Sequence, residues 1–323
     1  MAAISRRDFL KRSVASGVTG GLILSGAGKW SAEAATGPVG TLIDLTKCDG
    51  CKQEKAPKCV SACREVNQDR FPEPVNDIHD YWPQKKHEDW SGKRHLIDRL
   101  TPYNWTYVQE VEVEHNGQIH QLFIQRRCMH CDNPPCAKLC PFGVQEKTPE
   151  GPVRIDPDGC FGGAKCRDVC PWHIPQRQAG VGIYLKIAPK LVGGGVMYKC
   201  DLCYERVRAG QVPACVETCP RQAIEFGGKE EMKGVAYERA KAVGGYVYGD
   251  QENGGTSTFY VSPVPFEKIN QALAKKELKP GMPVGVENFL DTAGGLTRGV
   301  LLAPIAGAFA AGLAAYKTMK GSE

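Results

Sequence analysis

A chain of 323 residues, 42% hydrophobic and 24% charged, has the make-up of a folded protein with one large domain or two small ones, and bulk disorder is excluded. Its formal net charge of +5 at pH 7 does not indicate a nucleic-acid partner, because part of it belongs to the N-terminal segment alone. There Arg6, Arg7, Lys11, Arg12 and Lys29 stand against only Asp8 and Glu33.

That segment begins Ser5-Arg6-Arg7-Asp8-Phe9-Leu10-Lys11, continues through a mildly apolar stretch from Val14 to Gly28, and ends in Ala32-Glu33-Ala34. A basic start with paired arginines, an apolar middle and an A-x-A exit predict a twin-arginine export signal over residues 1–34. The rival, an amphipathic helix, is disfavoured by Gly17, Gly20 and Gly21. Twin-arginine export carries folded proteins.

Further along, Thr41 to Leu45 predicts a short strand running into a first cysteine group, Cys48, Cys51, Cys59 and Cys63. Residues 69–105 are polar, hold Pro72, Pro74, Pro83, Trp82, Trp90 and Trp105, and show no period; they predict an irregular insertion packed on its own aromatics or used for docking. Asn116-Gly117, flanked by apolar residues from Tyr107 to Ile124, predicts a β-hairpin, so that insertion and hairpin together fill 69–127. The second group follows as Cys128, Cys131, Cys136 and Cys140. Val153 to Asp156 predicts a strand before the third group, Cys160, Cys166 and Cys170. Ala223 to Phe226 is its counterpart after the fourth, Cys200, Cys203, Cys215 and Cys219. The stretch from Lys229 to Asn253, of mixed charge and rich in glycine, reads as surface only. Residues 299–316 run without a charge for roughly 27 Å of helix, which predicts a transmembrane anchor over 296–317. Small residues four apart at Ala303, Gly307 and Ala311 let a neighbouring helix come close. Lys317 and Lys320 place the tail 318–323 in the cytoplasm and the domain 35–290 outside.

The complete cysteine groups open with C-x-x-C and close with C-x-x-x-C, and Pro141, Pro171 and Pro220 follow three of the groups. This is the pattern of thiolate-held iron-sulfur clusters, in which the last cysteine of one group reaches the cluster of another. The fifteen cysteines would be sixteen if Gly163 were one of them. An odd count argues against a disulfide scaffold, and zinc ribbons do not explain four-cysteine groups ending in C-P. Lys52, Asp132 and Tyr204 after the C-x-x-C pairs exclude covalent haem, and neither G-x-G-x-x-G nor a Walker loop for a nucleotide is present. No catalytic constellation is evident. His173 reads as a residue that hydrogen-bonds near a cluster or sits on the surface, and His130 as a neighbour of a cluster or a loop residue, neither of them a ligand. The fold expected is α+β: two interleaved two-cluster ferredoxin-like units, groups one and four forming one and groups two and three nested within it.

The twin-arginine start, the four groups, Tyr198-Lys199-Cys200 at the opening of group four, Gly254-Gly255-Thr256-Ser257 and the C-terminal span resemble the four-cluster ferredoxin-like electron-transfer subunit of periplasmic respiratory enzymes. That family includes the β subunits of formate dehydrogenase-N, nitrate reductase and dimethyl sulfoxide reductase and the hydrogenase-2 electron-transfer subunit. The last is the most similar in combining its own export signal with one C-terminal anchor. The resemblance implies that Cys48, Cys51, Cys59 and Cys219 hold a first 4Fe-4S cluster, nearest a catalytic subunit. It gives Cys63, Cys200, Cys203 and Cys215 to a second, and Cys128, Cys131, Cys136 and Cys170 to a third. Cys140, Cys160 and Cys166 are left for a fourth at the membrane end. Nitrate reductase β subunits have tryptophan at the place of Gly163 and a 3Fe-4S cluster there, so 3Fe-4S is expected here. Group one departs from the family in having seven residues between Cys51 and Cys59. The implied partners are a periplasmic catalytic subunit, hydrogenase first and a formate dehydrogenase or other molybdoenzyme second, or a multihaem cytochrome feeding a menaquinone reductase. A multi-pass quinone-reactive membrane subunit and membrane lipid complete the set.

Overall fold

A computed structural model describes residues 37–81, 85–187, 194–274 and 281–291. The export signal expected at 1–34 and the anchor and tail expected at 296–323 lie outside the described residues. Among those described, no helix is long and apolar enough to cross a membrane.

In chain order the elements are β1 (Val39–Asp44), α1 (Lys58–Val66), β2 (Tyr107–His115), β3 (Gln118–Arg126), α2 (Pro135–Lys138), β4 (Gln145–Lys147), β5 (Val153–Ile155) and α3 (Lys165–Asp168). There follow β6 (Gln176–Ala179), α4 (Tyr184–Ile187), β7 (Gly195–Tyr198), α5 (Tyr204–Arg208), α6 (Ala214–Glu217), β8 (Ile224–Gly228), α7 (Lys229–Ala242), β9 (Tyr246–Tyr248), β10 (Thr258–Ser262) and α8 (Phe266–Ala274).

β1 is buried along its whole length because it is hydrogen-bonded on both edges, in a sheet of order β8-β1-β10-β9. It runs antiparallel to β8, with Thr41 opposite Phe226, and parallel to β10, with Leu42 opposite Phe259. The strand before group one is thereby joined to the strand after group four, and the intervening chain is enclosed. Successive side chains of a strand point to opposite faces. Leu42 accordingly packs with Phe259, Val261, Met232, Ala236 and Ala240 under α7. Ile43 points the other way, into the core that holds Cys59, Cys63, Cys128, Cys131, Cys200 and Cys215.

The reading of 229–253 as mere surface is corrected here. α7 presents Met232, Ala236 and Ala240, one turn apart, to the sheet, and these three are buried. The residues after it back the second cysteine group: Asp132 N–H donates to Gly255 O at 3.0 Å and Ser257 N–H to Met129 O at 3.2 Å.

Asn116 and Gly117 both have positive φ, +52° and +74°, and form the two-residue turn between β2 and β3. β5 pairs with β4 between groups two and three, and β6 after group three pairs with β7 before group four. The insertion from 69 packs on its own aromatics: Phe71 lies edge-on to Tyr103 and Trp105, with centroids 5.8 and 6.3 Å away. Arg64 holds it down by donating to Tyr103 O and Arg94 O, each at 2.7 Å.

Candidate functional site: four sets of thiols

Helical spacing distributes the cysteines. Cys59 and Cys63 are four residues apart on α1, hence on one face and about 6 Å apart along the axis. Cys215 on α6 and Cys219 just past its end repeat the arrangement, as do Cys136 with Cys140 at α2 and Cys166 with Cys170 at α3. All fifteen cysteines are free thiols.

Cys48, Cys51, Cys59 and Cys219 line one cavity, together with Ile43 and Val108. The long spacing in group one does not disturb this, because residues 52–55 are exposed and none of them lines the cavity. Burial pushes the Cys48 thiol up to about 11, and the charges of Cys219 and Cys51 add to the effect. Cys59 is raised well above the ordinary thiol value by burial and then by Cys215, Cys48, Cys219 and Cys51. Cys63 is raised likewise, by burial and then by Cys200, Cys203 and Cys215. For Cys203 burial, Cys215 and Cys200 bring the value to about 12.

The thiols of groups two and three behave in the same way. Burial and then Cys128 and Cys170 raise Cys131, while Cys136 is raised by burial, Cys170, Cys128 and Cys131. Cys166 reaches about 12 through burial, Cys160, Cys170 and Cys140. Burial raises Cys160 against the backbone N–H groups of Met197 and Gly162, with Cys140 and Asp156 contributing.

N–H groups point at the sulfurs. Leu202 N–H donates to Cys200 Sγ and Ala223 N–H to Cys219 Sγ, each at 3.3 Å. Asn253 Nδ2 donates to Cys131 Sγ at 3.3 Å. The loops reach this geometry with left-handed residues at Gly50 and Cys51, at His130, at Gly162 and Ala164, and at Leu202 and Cys203. Each non-glycine residue so placed costs about 1–2 kcal/mol, and successive left-handed turns gather N–H groups around an anion.

Three side chains near the thiols were not singled out as functional by sequence reasoning. Asn253 gave no local signal, being 122 residues from Cys131 in the chain. Arg127 and Lys199 each precede the first cysteine of a group, which is a signal in principle, and both are buried. Arg127 Nη2 donates to Thr41 Oγ1, while its Nε and Nη1 are buried without a hydrogen-bond partner. Burial works against its charge, and Cys200 and Cys215 more than offset it. Lys199 Nζ donates to Val153 O and to Cys200 O.

His130 is wholly buried, as a neighbour of the thiols and not a surface residue. Its Nδ1 accepts from Val153 N–H at 2.9 Å, which leaves the ring proton on Nε2, 3.8 Å from Cys200 Sγ. His173 is exposed. Gly163 stands in the fourth set with an ordinary φ, and among the described residues a Cβ there would meet only Tyr81 Oη, at 3.7 Å.

The donor set fits polynuclear iron-sulfur groups. Soft sulfur ligands lie in apolar surroundings, with N–H donors on the sulfurs and a guanidinium two of whose buried nitrogens have no hydrogen-bond partner. Residues 119–229 match one family described as 4Fe-4S dicluster domain, and residues 47–144 match a second of the same description. The chain is similar to the nitrate-inducible formate dehydrogenase iron-sulfur subunit of Escherichia coli K12, at 32% identity over 93% of this chain and 87% of that one. The formate dehydrogenase-O iron-sulfur subunit of the same strain is 34% identical over 80% of this chain and 75% of its own. Hydrogenase-2 operon protein HybA of Escherichia coli O157:H7 is 29% identical over 83% of each. Thiol sets, fold and these likenesses together make the chain a member of the 4Fe-4S dicluster family of iron-sulfur electron-transfer subunits.

Proposed function

We propose that the protein relays single electrons between a periplasmic catalytic subunit and a quinone-reactive membrane subunit, through three 4Fe-4S clusters and one 3Fe-4S cluster. When bound, such clusters take up and release one electron at a time. The first would be held by Cys48, Cys51, Cys59 and Cys219, and the second by Cys63, Cys200, Cys203 and Cys215. Cys128, Cys131, Cys136 and Cys170 would hold the third, and Cys140, Cys160 and Cys166 the fourth. The protein's own part is to keep the sulfurs dry, to aim N–H groups at them, and to fix the spacing between sets.

One observation supports a relay above the others. Sulfurs of successive sets bear on one another: Cys59 and Cys215, Cys200 and Cys128, and Cys166 and Cys170. These pairings support sets that follow one another in a line. Gly163 in the fourth set supports 3Fe-4S there, and by removing a thiolate it would raise that site's potential and favour collecting electrons beside a quinone.

A hydrogenase is the proposed partner, on the likeness to HybA and on the combination of export signal and anchor read from the sequence. A formate dehydrogenase is the second reading, favoured by similarity over 93% of the chain. We place the protein on the periplasmic side of the inner membrane, exported by the twin-arginine route and anchored by one C-terminal helix. Anaerobic purification with iron and sulfide analysis tests the relay: about 15 irons per chain are expected for three clusters of four and one of three, whereas zinc or iron-free protein would refute it. Identification of the large subunit that co-purifies decides the partner.

A further inference from the structure

The junction between the second and third thiol sets holds two buried cations. Arg127 is 1% exposed and Lys199 is 6% exposed. Among the described residues neither forms an ion pair with a carboxylate. Asp201, the carboxylate that bears on Lys199, is engaged by Arg70 at 2.8 Å. Burying an unpaired charge costs several kcal/mol, so a chain that keeps two in one place has a counter-charge for them.

Their neighbours show where it is. Arg127 precedes Cys128 of the third set in the chain, yet the sulfurs that bear on it are Cys200 and Cys215 of the second. Lys199 precedes Cys200 of the second set, and Cys128 and Cys136 of the third bear on it, with Cys200. The two cations are crossed, each reaching toward the other group's sulfurs. The residue at the same place before group one, Lys47, is half-exposed and paired with Glu225 at 3.3 Å; before group three it is Gly159.

We propose that Arg127 and Lys199 are the built-in counter-charge of the second and third clusters, holding the reduction potentials of both above what their thiolates alone would set. The inference rests on the cluster reading given above. A cluster becomes more negative when it accepts an electron, and a fixed cation in a low-dielectric interior stabilises the reduced form more than the oxidised one. The middle of the line is thereby kept from becoming a barrier to transfer.

The test is a redox titration of the anaerobically purified full chain, followed by electron paramagnetic resonance, for wild type, Lys199→Gln, Lys199→Arg and Arg127→Gln. Lys199→Gln is expected to keep its iron and to lower the equilibrium constant for reducing the second or third cluster about tenfold, which is about 59 mV for a one-electron step. The other clusters stay where they are and Lys199→Arg restores the wild-type value. Arg127→Gln is expected to shift the same pair in the same direction. Unmoved potentials in iron-replete Lys199→Gln and Arg127→Gln overturn the proposal. Should Lys199→Gln lose iron, Lys199→Arg decides: retained iron assigns the loss to the missing charge and supports the proposal, and lost iron overturns it. Wild-type protein without iron would refute the cluster reading itself, a distinct result.

Discussion

The thiols of the first and fourth sets are held by different means. Those of the first set lie under the four-stranded sheet, in a large apolar core that Ile43, Ile224 and Phe226 share with Cys59. Its nearby charges are surface pairs such as Arg221 with Asp49 at 2.6 Å, which contribute little. The fourth set has a small core of its own, in which Cys160 packs with Ile155, Val181 and Val196. Around it runs a polar clamp built largely by the irregular insertion. Tyr81 Oη donates to Phe161 O at 2.8 Å, and Glu88 accepts from Arg167 at 2.8 and 2.9 Å and from Arg177 at 3.1 Å. Arg177 is completely buried and lies over the Tyr81 ring at 4.6 Å. Phe142 stacks on Phe161 at 4.0 Å, and Phe161 meets Tyr184 edge-on at 4.8 Å. One end is stabilised by apolar burial, the other by buried charge and aromatic contact. The insertion after group one is what completes the site of group three.

Two substitutions separate these mechanisms. Ile43→Ala opens a cavity in the apolar core beside the first set and is expected to cost about 2–5 kcal/mol by chemical denaturation. Any iron loss should begin with the first set. Glu88→Ala leaves Arg177 buried without its carboxylate and is expected to cost about 3 kcal/mol. Iron should then be lost from the fourth set first, as read by the 3Fe-4S signal. If both variants lose iron from the same site, the division drawn above is wrong. Burial raises the Glu88 pKa, but hydrogen bonds and charge from Arg167, with Arg177, bring it below the usual glutamate value. A carboxylate depressed on folding adds stability above its unfolded pKa, about 4.3, and that stability is lost as pH falls through the folded value. The acid side of the wild-type stability curve should therefore be steeper than that of Glu88→Gln. The hairpin tip supplies a control outside both regions. Gly117→Ala meets open space but must hold φ at +74°, so about 1 kcal/mol is expected in thermal stability, with no change in iron content.

What was legible in the sequence was local. Asn116-Gly117 marks its turn because only such residues take two successive positive φ values cheaply, and the cysteine spacings mark the loops. The assignment of Cys219 to the site of Cys48 came only through family resemblance, since spacing along a chain does not say which groups meet in space. α7 escaped because its buried stripe is Met232, Ala236 and Ala240, two of them alanine, set among charged residues and Gly234. β10 and Asn253 act on the sheet and on Cys131 from far along the chain. Arg127 and Lys199 look like ordinary basic residues until burial shows that they lack carboxylate partners.

The smallest change to stability should come at the position where the cysteine pattern is broken. Gly162 and Gly163 are neighbours with different constraints. Gly162 has φ +66° and a Cβ there would collide with the Gly195 backbone, so it must stay glycine. Gly163 has neither restriction, and a Cβ would rest in ordinary contact with Tyr81 Oη at 3.7 Å. Steric need therefore does not explain the glycine, and a thiol could be introduced with little effect on folding. Gly163→Cys is expected to leave thermal stability almost unchanged while abolishing the oxidised 3Fe-4S signal and adding about one iron per chain. Loss of a thiolate is then the reason this end of the line differs from the other three sites. Retention of the 3Fe-4S signal in well-folded Gly163→Cys would mean that the added sulfur does not reach the cluster, and that the clamp around Tyr81 and Arg177, rather than the missing ligand, sets the character of the site.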